Sequence, residues 1–239
     1  MKGDQASIIR LVVHGAAGRM GSRVCALARA DSRFELVAAI DQHEQFETSI
    51  DRAAEVDVII DFSSDEGAGS AVRTATDHAA AVLIGTTGLS PQTLDITEVA
   101  ARRIPVMVAP NMSRGVAVLT RLVVEAARLL GDEYDVNLIE LHHRHKRDAP
   151  SGTALRIADQ MRREAGVDLT ADHIHSVRSG DIVGEHIIEF GAPGERISFR
   201  HVATDRDLFA RGSLRLAAWL TGQAPGRYTI DHAFDSSSR

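Results

Sequence analysis

The chain has 239 residues, 44% hydrophobic and 25% charged, the make-up of a soluble globular protein with room for one large domain or two modest ones. Its net charge of −6 excludes a general affinity for nucleic acid or an anionic membrane, so an anionic ligand must be met by local positive charge. A single cysteine, Cys25, excludes an internal disulfide and reads as a buried, inert thiol in a reducing cytoplasm. No run of roughly 18 apolar residues and no secretory h-region is present, so a cytoplasmic protein is expected.

Residues 8–13 form an apolar run that reads as a buried strand. His14-Gly15-Ala16-Ala17-Gly18-Arg19-Met20-Gly21 follows, and 22–30 has a helical pattern. Strand, glycine turn and helix is the arrangement that lets backbone approach a pyrophosphate resting on a helix N-terminus. Ala17 stands where the usual motif has its middle glycine, and a tight turn without a ligand is the alternative. A second strand, 36–40, ends in Asp41, where an acid can hold the two hydroxyls of a ribose. No element is assigned to 44–54. Strands at 56–62, 81–84 and 104–108 alternate with helices at 66–79 and from Pro91, the latter capped by Ser90. This alternation predicts a Rossmann-like, doubly wound parallel sheet, with ligands at the carboxyl ends of its strands.

An apolar helical stripe over 113–130 (Val116, Leu119, Val123, Ala127) reads as packing and as the bridge into a second domain. Residues 134–141 form a strand that delivers ELHHRHKRDAPSGTAL, residues 140–155. This stretch packs His142, His143, His145, Lys146 and Asp148 into seven residues, ahead of a helix over 151–165 with Ser151 or the turn around it as its cap. Cations and proton carriers therefore sit beside a helix start that attracts anions, which suits catalysis on a carboxylated substrate. Strands at 173–177, 185–190 and 196–201 have turns but no helices between them, and they predict an antiparallel meander. Residues 113–206 thus form an α+β domain with a mostly antiparallel sheet, before an amphipathic helix over 206–220. His78, His186, His201 and His232 read as surface or packing residues.

HHxHKxDAPSGTA resembles the signature of the 4-hydroxy-tetrahydrodipicolinate reductase (dihydrodipicolinate reductase) family of lysine and diaminopimelate biosynthesis. The similarity extends over nearly the whole chain, although 41–56 and 166–177 are shorter than in many members. It implies that 1–112 and 207–239 form the dinucleotide-binding domain, and that 113–206 binds substrate and assembles a homotetramer through its sheet. It further implies NAD(P)H-dependent reduction of a small cyclic dicarboxylate, 4-hydroxy-tetrahydrodipicolinate, to tetrahydrodipicolinate with loss of water. His142 matches the proton donor/acceptor and Lys146 the second proton donor, with His143, Gly152 and Thr153 at substrate-binding positions. Arg206 is a further candidate for a carboxylate. Gly15, Ala16, Ala17, Gly18, Arg19 and Met20 resemble the phosphate-binding turn, and Asp41 the ribose acid. Gly85, Thr86 and Thr87 match the GTT cofactor loop. Ala109, Pro110, Asn111 and Met112 match a further cofactor segment, with Met112 where phenylalanine is frequent.

Asp41, followed by Gln42 where many members carry arginine, favours NADH over NADPH. Zinc accepts histidine and aspartate ligands, so a metal-dependent enzyme built on the histidine cluster is one alternative. Against it, neighbours His142 and His143 point opposite ways on a continuing strand and Lys146 repels a cation, so no metal is expected. A dinucleotide-binding sensor without turnover is the other alternative; it would need the glycine turn but not the cluster.

Overall fold

The computed structural model describes residues 7–42 and 50–235; most of the 44–54 stretch and the Ser236–Ser238 tail lie outside the described residues. The chain divides into two compact units, Met1–Met112 with Asp207–Arg239, and Ser113–Arg206.

The first unit runs β1 (Ile9–His14), α1 (Arg19–Ala30), β2 (Phe34–Ile40), β3 (Val58–Asp61), α2 (Asp65–Asp77), β4 (Ala81–Ile84), α3 (Pro91–Ala100) and β5 (Pro105–Val108). All its strands pair in parallel, and β3 and β4 are buried along their whole length. Continuous rather than alternating apolar runs are what a sheet covered on both faces requires. One face packs Leu11, Val13, Ile60 and Leu83 under α1, and the other packs Val12, Ile59 and Val82 under the alanines of α2. Helix starts follow the sequence: Ser90 accepts from the Thr93 N–H with Pro91 as the first helical residue.

The second unit comprises α4 (Arg114–Leu130), β6 (Asp135–His142), α5 (Gly152–Ala165), β7 (Ile174–Arg178), β8 (Gly184–Ala192) and β9 (Glu195–Ala203). Its sheet order is β7-β6-β8-β9. The expected meander over the last three strands is corrected here. Only β8 and β9 are neighbours in it, whereas β7 pairs in parallel with the far edge of β6. The reason is that β6, α5 and β7 form a strand–helix–strand crossover, which must return parallel. Two of the three pairings are antiparallel, so the sheet is mostly antiparallel as expected. Leu138, Ile188 and Phe190 pack under α4 and α5 through Val123, Ile157 and Met161. The opposite face, with Ile139, Leu141 and Ile187, is only half buried.

The chain then completes the first unit with α6 (Asp207–Leu220), β10 (Gly226–Tyr228) and α7 (Ile230–Asp235). Helix α6 supplies Ala210, Leu214, Ala217 and Leu220 to the core beneath α1. Strand β10, which the sequence pattern does not announce, adds the edge of a six-stranded sheet ordered β10-β5-β4-β3-β1-β2.

Candidate active site

In that order the chain winds outward in one direction through β2 and in the other through β3, so a crevice opens at the carboxyl ends of β1 and β3. Gly15 turns the chain there with φ +76°, and a Cβ on it would overlap the Phe62 carbonyl. The N–H groups of Gly15 and Ala16 are bound to the Ile40 carbonyl. Gly18 caps α1 without a side chain, and no acid lies in the first turn. The start of α1 at Arg19, Met20 and Gly21 is therefore open to an anion. Asp41 reaches across, its carboxylate accepting from the Ala17 N–H at 2.9 Å and the Gln42 N–H at 2.8 Å. A cleft of about 580 Å³ is lined by His14, Gly18, Asp41, Gln42, Phe62 and Ser63, among others. Its shape and donors fit a dinucleotide.

The other cofactor candidates divide between lining and support. Gly85 packs on the Phe62 ring, where a Cβ would not fit. Thr86 is buried and donates to Asp61 at 2.5 Å while accepting from the Ser63 N–H at 2.9 Å. Asp61, wholly buried and pushed up in pKa by that burial, also accepts from the Ser63 hydroxyl. This clasp of the loops after β3 and β4 has no signature in the sequence. Thr87 and Pro110 are exposed, Asn111 is half-buried, and Ala109 and Met112 belong to the core.

In the second unit β6 alternates strictly, so Glu140 and His142 share the face under the helices. Glu140 is 0% exposed. Arg178, on β7, grips both its oxygens, at 2.9 and 2.7 Å, and the Ser151 N–H donates to it at 3.2 Å. His142 meets the same carboxylate through Nδ1. Burial raises the Glu140 pKa, but bonds from Arg178, Ser176 and His142 outweigh it and hold the carboxyl below its usual range. Burial, assisted by Lys146 and Arg178, depresses His142 despite the pull of Glu140. The neutral imidazole is thus the resting form near pH 7.

The Nε2 of His142 lies against Gly184, where a Cβ would stand 3.0 Å away. His186, opposite Glu140 on β8, packs edge-on at 5.4 Å between ring centroids and meets the Ser151 hydroxyl at 3.3 Å. Burial pushes His186 down to about 3. In the sequence Glu140 and Arg178 carry no assigned role and His186 reads as surface or packing; Arg178 is 38 residues from Glu140 and only the pairing of β7 with β6 joins them.

Ser151 caps α5 through the Ala154 N–H, and Gly152 opens the helix with no neighbour within 4 Å of an added Cβ. Asp148 sits at this helix start: burial pushes its carboxyl up, but Lys146, with Nζ 2.9 Å away, and the Gly152 N–H outweigh it and hold the pKa below the usual range. His143 and Thr153 are half-buried, and His145 is exposed. The His143 and His145 rings lie 6.3 Å apart, and the described residues hold no group of three or more His, Cys, Asp or Glu arranged for a metal. Arg206 is exposed in the turn after β9, and among the described residues no hydrogen bond or ion pair ties it to this cluster. No helix among them is long and apolar enough to cross a membrane.

The family model described as the dihydrodipicolinate reductase N-terminus matches residues 9–112, and its C-terminal counterpart matches 115–234. A curated protein of Anaeromyxobacter dehalogenans, named 4-hydroxy-tetrahydrodipicolinate reductase, is 39% identical over 92% of this chain and 96% of its own. One of the same name from Stenotrophomonas maltophilia is 41% identical over 93% and 96%. Among solved structures, the dipicolinate-bound dihydrodipicolinate reductase from Paenisporosarcina sp. TG-14 superposes with a TM-score of 0.74, at 23% identity, over 93% of this chain and 97% of its own. With both of its halves matched and curated relatives covered almost end to end, this chain belongs to the dihydrodipicolinate reductase family of oxidoreductases.

Proposed function

We propose that this enzyme reduces 4-hydroxy-tetrahydrodipicolinate to tetrahydrodipicolinate with a nicotinamide cofactor, in lysine and diaminopimelate biosynthesis. The observation that carries most weight is His142: a neutral imidazole on a buried carboxylate, four residues from Lys146 and beside the start of α5. Curated relatives named for this activity support the choice of substrate. The substrate loses its 4-hydroxyl as water, gains a hydride and takes up one proton. A bound nicotinamide supplies the hydride; the chain's own residues bind, orient and move the proton. His142 takes up that proton at Nε2 from solvent and passes it to the reduced ring, and the Glu140 carboxylate stabilises the imidazolium in between. Lys146 exchanges its contact with Asp148 for a substrate carboxylate and serves as second proton donor. Gly152 and Thr153 offer helix-start donors to the same carboxylate, with His143 beside them. Arg206 is assigned to the other carboxylate on its exposed charge alone.

The first unit is assigned to the cofactor, with the pyrophosphate on residues 15–20 and the ribose on Asp41. Residues 85–87 and 109–112 would also hold the cofactor, Thr86 and Met112 acting through the backbone they hold. NADH is preferred over NADPH, because a 2′-phosphate would face the Asp41 carboxylate with Gln42, not a cation, beside it. The family reading also carries a cytoplasmic homotetramer. Its assembly through the sheet face that carries half-buried Ile139, Leu141 and Ile187 with exposed Val177 and Val202 is part of the proposal. The test follows nicotinamide absorbance with substrate freshly made from its aldol precursors. Cofactor oxidation that depends on substrate is expected, and no turnover with either cofactor would overturn the assignment.

A further inference from the structure

The buried charge beneath His142 has no part in the reaction's atom balance, yet four elements converge on it. Glu140 comes from β6, Arg178 from β7, the Ser151 N–H from the start of α5, and His186 from β8 closes the space above. Arg178 also donates to the Val177 carbonyl at 2.8 Å and to the Asp148 carbonyl, so its head is held from both sides. An ion pair with no exposure on the acid costs desolvation that a pair of apolar side chains would avoid, so it contributes little to stability by itself. A carboxylate fixed at Nδ1 does, however, settle which ring nitrogen carries the proton.

We infer that Glu140, clamped by Arg178 and the Ser151 N–H, is a positioning residue that keeps His142 as the Nδ1–H tautomer with its Nε2 lone pair beside Gly184. The carboxylate can only accept, so the proton must sit on Nδ1. Arg178 fills the other lone pairs of both oxygens, which stops the carboxylate from turning away. Gly184 leaves Nε2 open: among the described residues it has no hydrogen-bond partner, and a side chain at 184 would press on it at 3.0 Å. The groups that face the ring from the packed elements are Glu140, Arg178, His186 and Lys146, of which only Glu140 accepts from Nδ1. This inference rests on the proposed proton-handling role of His142.

The test is Glu140→Gln in the full-length enzyme with histidine-labelled ¹⁵N spectra. His142 is identified among the 11 histidines by comparison with His142→Gln. Wild type should show His142 as a single Nδ1–H form near neutral pH. In the variant a side-chain amide can donate to Nδ1, so the tautomer should become mixed or reversed. The kcat should fall by roughly 10- to 100-fold, as when a partner that orients a functional histidine is lost. KM and cofactor affinity should stay within about two-fold of wild type. A single Nδ1–H form in the variant, or an unchanged kcat, overturns the inference, whichever of the two is seen. If Glu140→Gln alone leaves Arg178 unpaired and does not fold, Glu140→Gln with Arg178→Met removes both charges and carries the same two expectations. Full turnover by His142→Gln would instead remove the proton-handling role, while the tautomer spectra would still report on the clamp.

Discussion

Around Gly15 the cleft is shaped by close-packed backbone; around His142 the site is shaped by polar side chains on three strands, two of these side chains ionised. The first place selects for what is missing: no Cβ at 15, no side chain capping α1, no acid in its first turn. The second depends on what is present, because Glu140 holds Arg178 and His142 at once and both lose a partner if it is removed. A site of the first kind is damaged by adding atoms, and one of the second kind by taking them away. This contrast also explains why the turn is readable as a spacing of small residues while the clamp is not.

The contrast can be broken most sharply at His142. Substitution by Gln should leave the fold and cofactor affinity intact and lower kcat by about 10²-fold or more, the scale of a lost general acid or base; near-normal turnover in a steady-state assay would remove the residue from the mechanism. The mirror experiment adds one methyl group at Gly15. Gly15→Ala meets both an unfavourable φ and the Phe62 carbonyl, each worth about 1–3 kcal/mol. Cofactor titration by fluorescence should show affinity down by about 10²-fold, and an unaltered Kd would mean that the turn does not hold the cofactor.

Lys146→Ala should weaken a planar aromatic 2,6-dicarboxylate, expected to compete with substrate, by about ten-fold, the loss of one charge-assisted contact. Inhibition kinetics measures this, and added chelator should leave activity unchanged; loss on chelation with recovery on zinc would favour the metal alternative. At the cleft, wild type should prefer NADH by about ten-fold in kcat/KM, or roughly 1.4 kcal/mol. Asp41→Ala with Gln42→Arg should move the ratio toward NADPH. A native preference for NADPH would shift control of that pocket to Arg19.

Each region also buries a histidine, and pH separates them from the carboxylates. His14 is pushed down to about 4 and His186 to about 3, both chiefly by burial. Their folded pKa values lie below the ordinary 6.5, so the unfolded chain binds more protons between those limits. Stability should therefore fall as pH drops below about 6.5, by up to ~1.4 kcal/mol per pH unit for each histidine. Denaturant midpoints between pH 7 and 5 should show the loss, and His186→Asn should shallow it; a flat profile would mean these rings are already charged in the folded protein.

Much of the fold was legible because its signals are local. Ser90-Pro91 and Ser151 announce helix starts, and buried parallel strands read as unbroken apolar runs such as 81–84. What stayed hidden depends on strand order. Nothing in residues 174–178 says that they pair beyond β6 rather than beside β8, and without that pairing Arg178 has no reason to meet Glu140. The Asp61–Thr86 clasp was hidden for the same reason, since only β3 beside β4 brings them together. The His-Lys loop needed no topology at all, being contiguous in the chain.

The return of α6 to the first unit bears on how the protein is made. During synthesis, Leu11, Val13, Ile60, Leu83 and Met107 emerge well before Leu214, Ala217 and Leu220, which cover them. The contacts that seal this core join distant parts of the chain: Arg23 pairs with Asp207, and Gly212 lets the Met112 carbonyl approach α6 too closely for any side chain. A nascent chain stalled anywhere in the second unit thus carries an open, apolar half-sheet, the kind of surface that chaperones hold and that otherwise associates with its own copies.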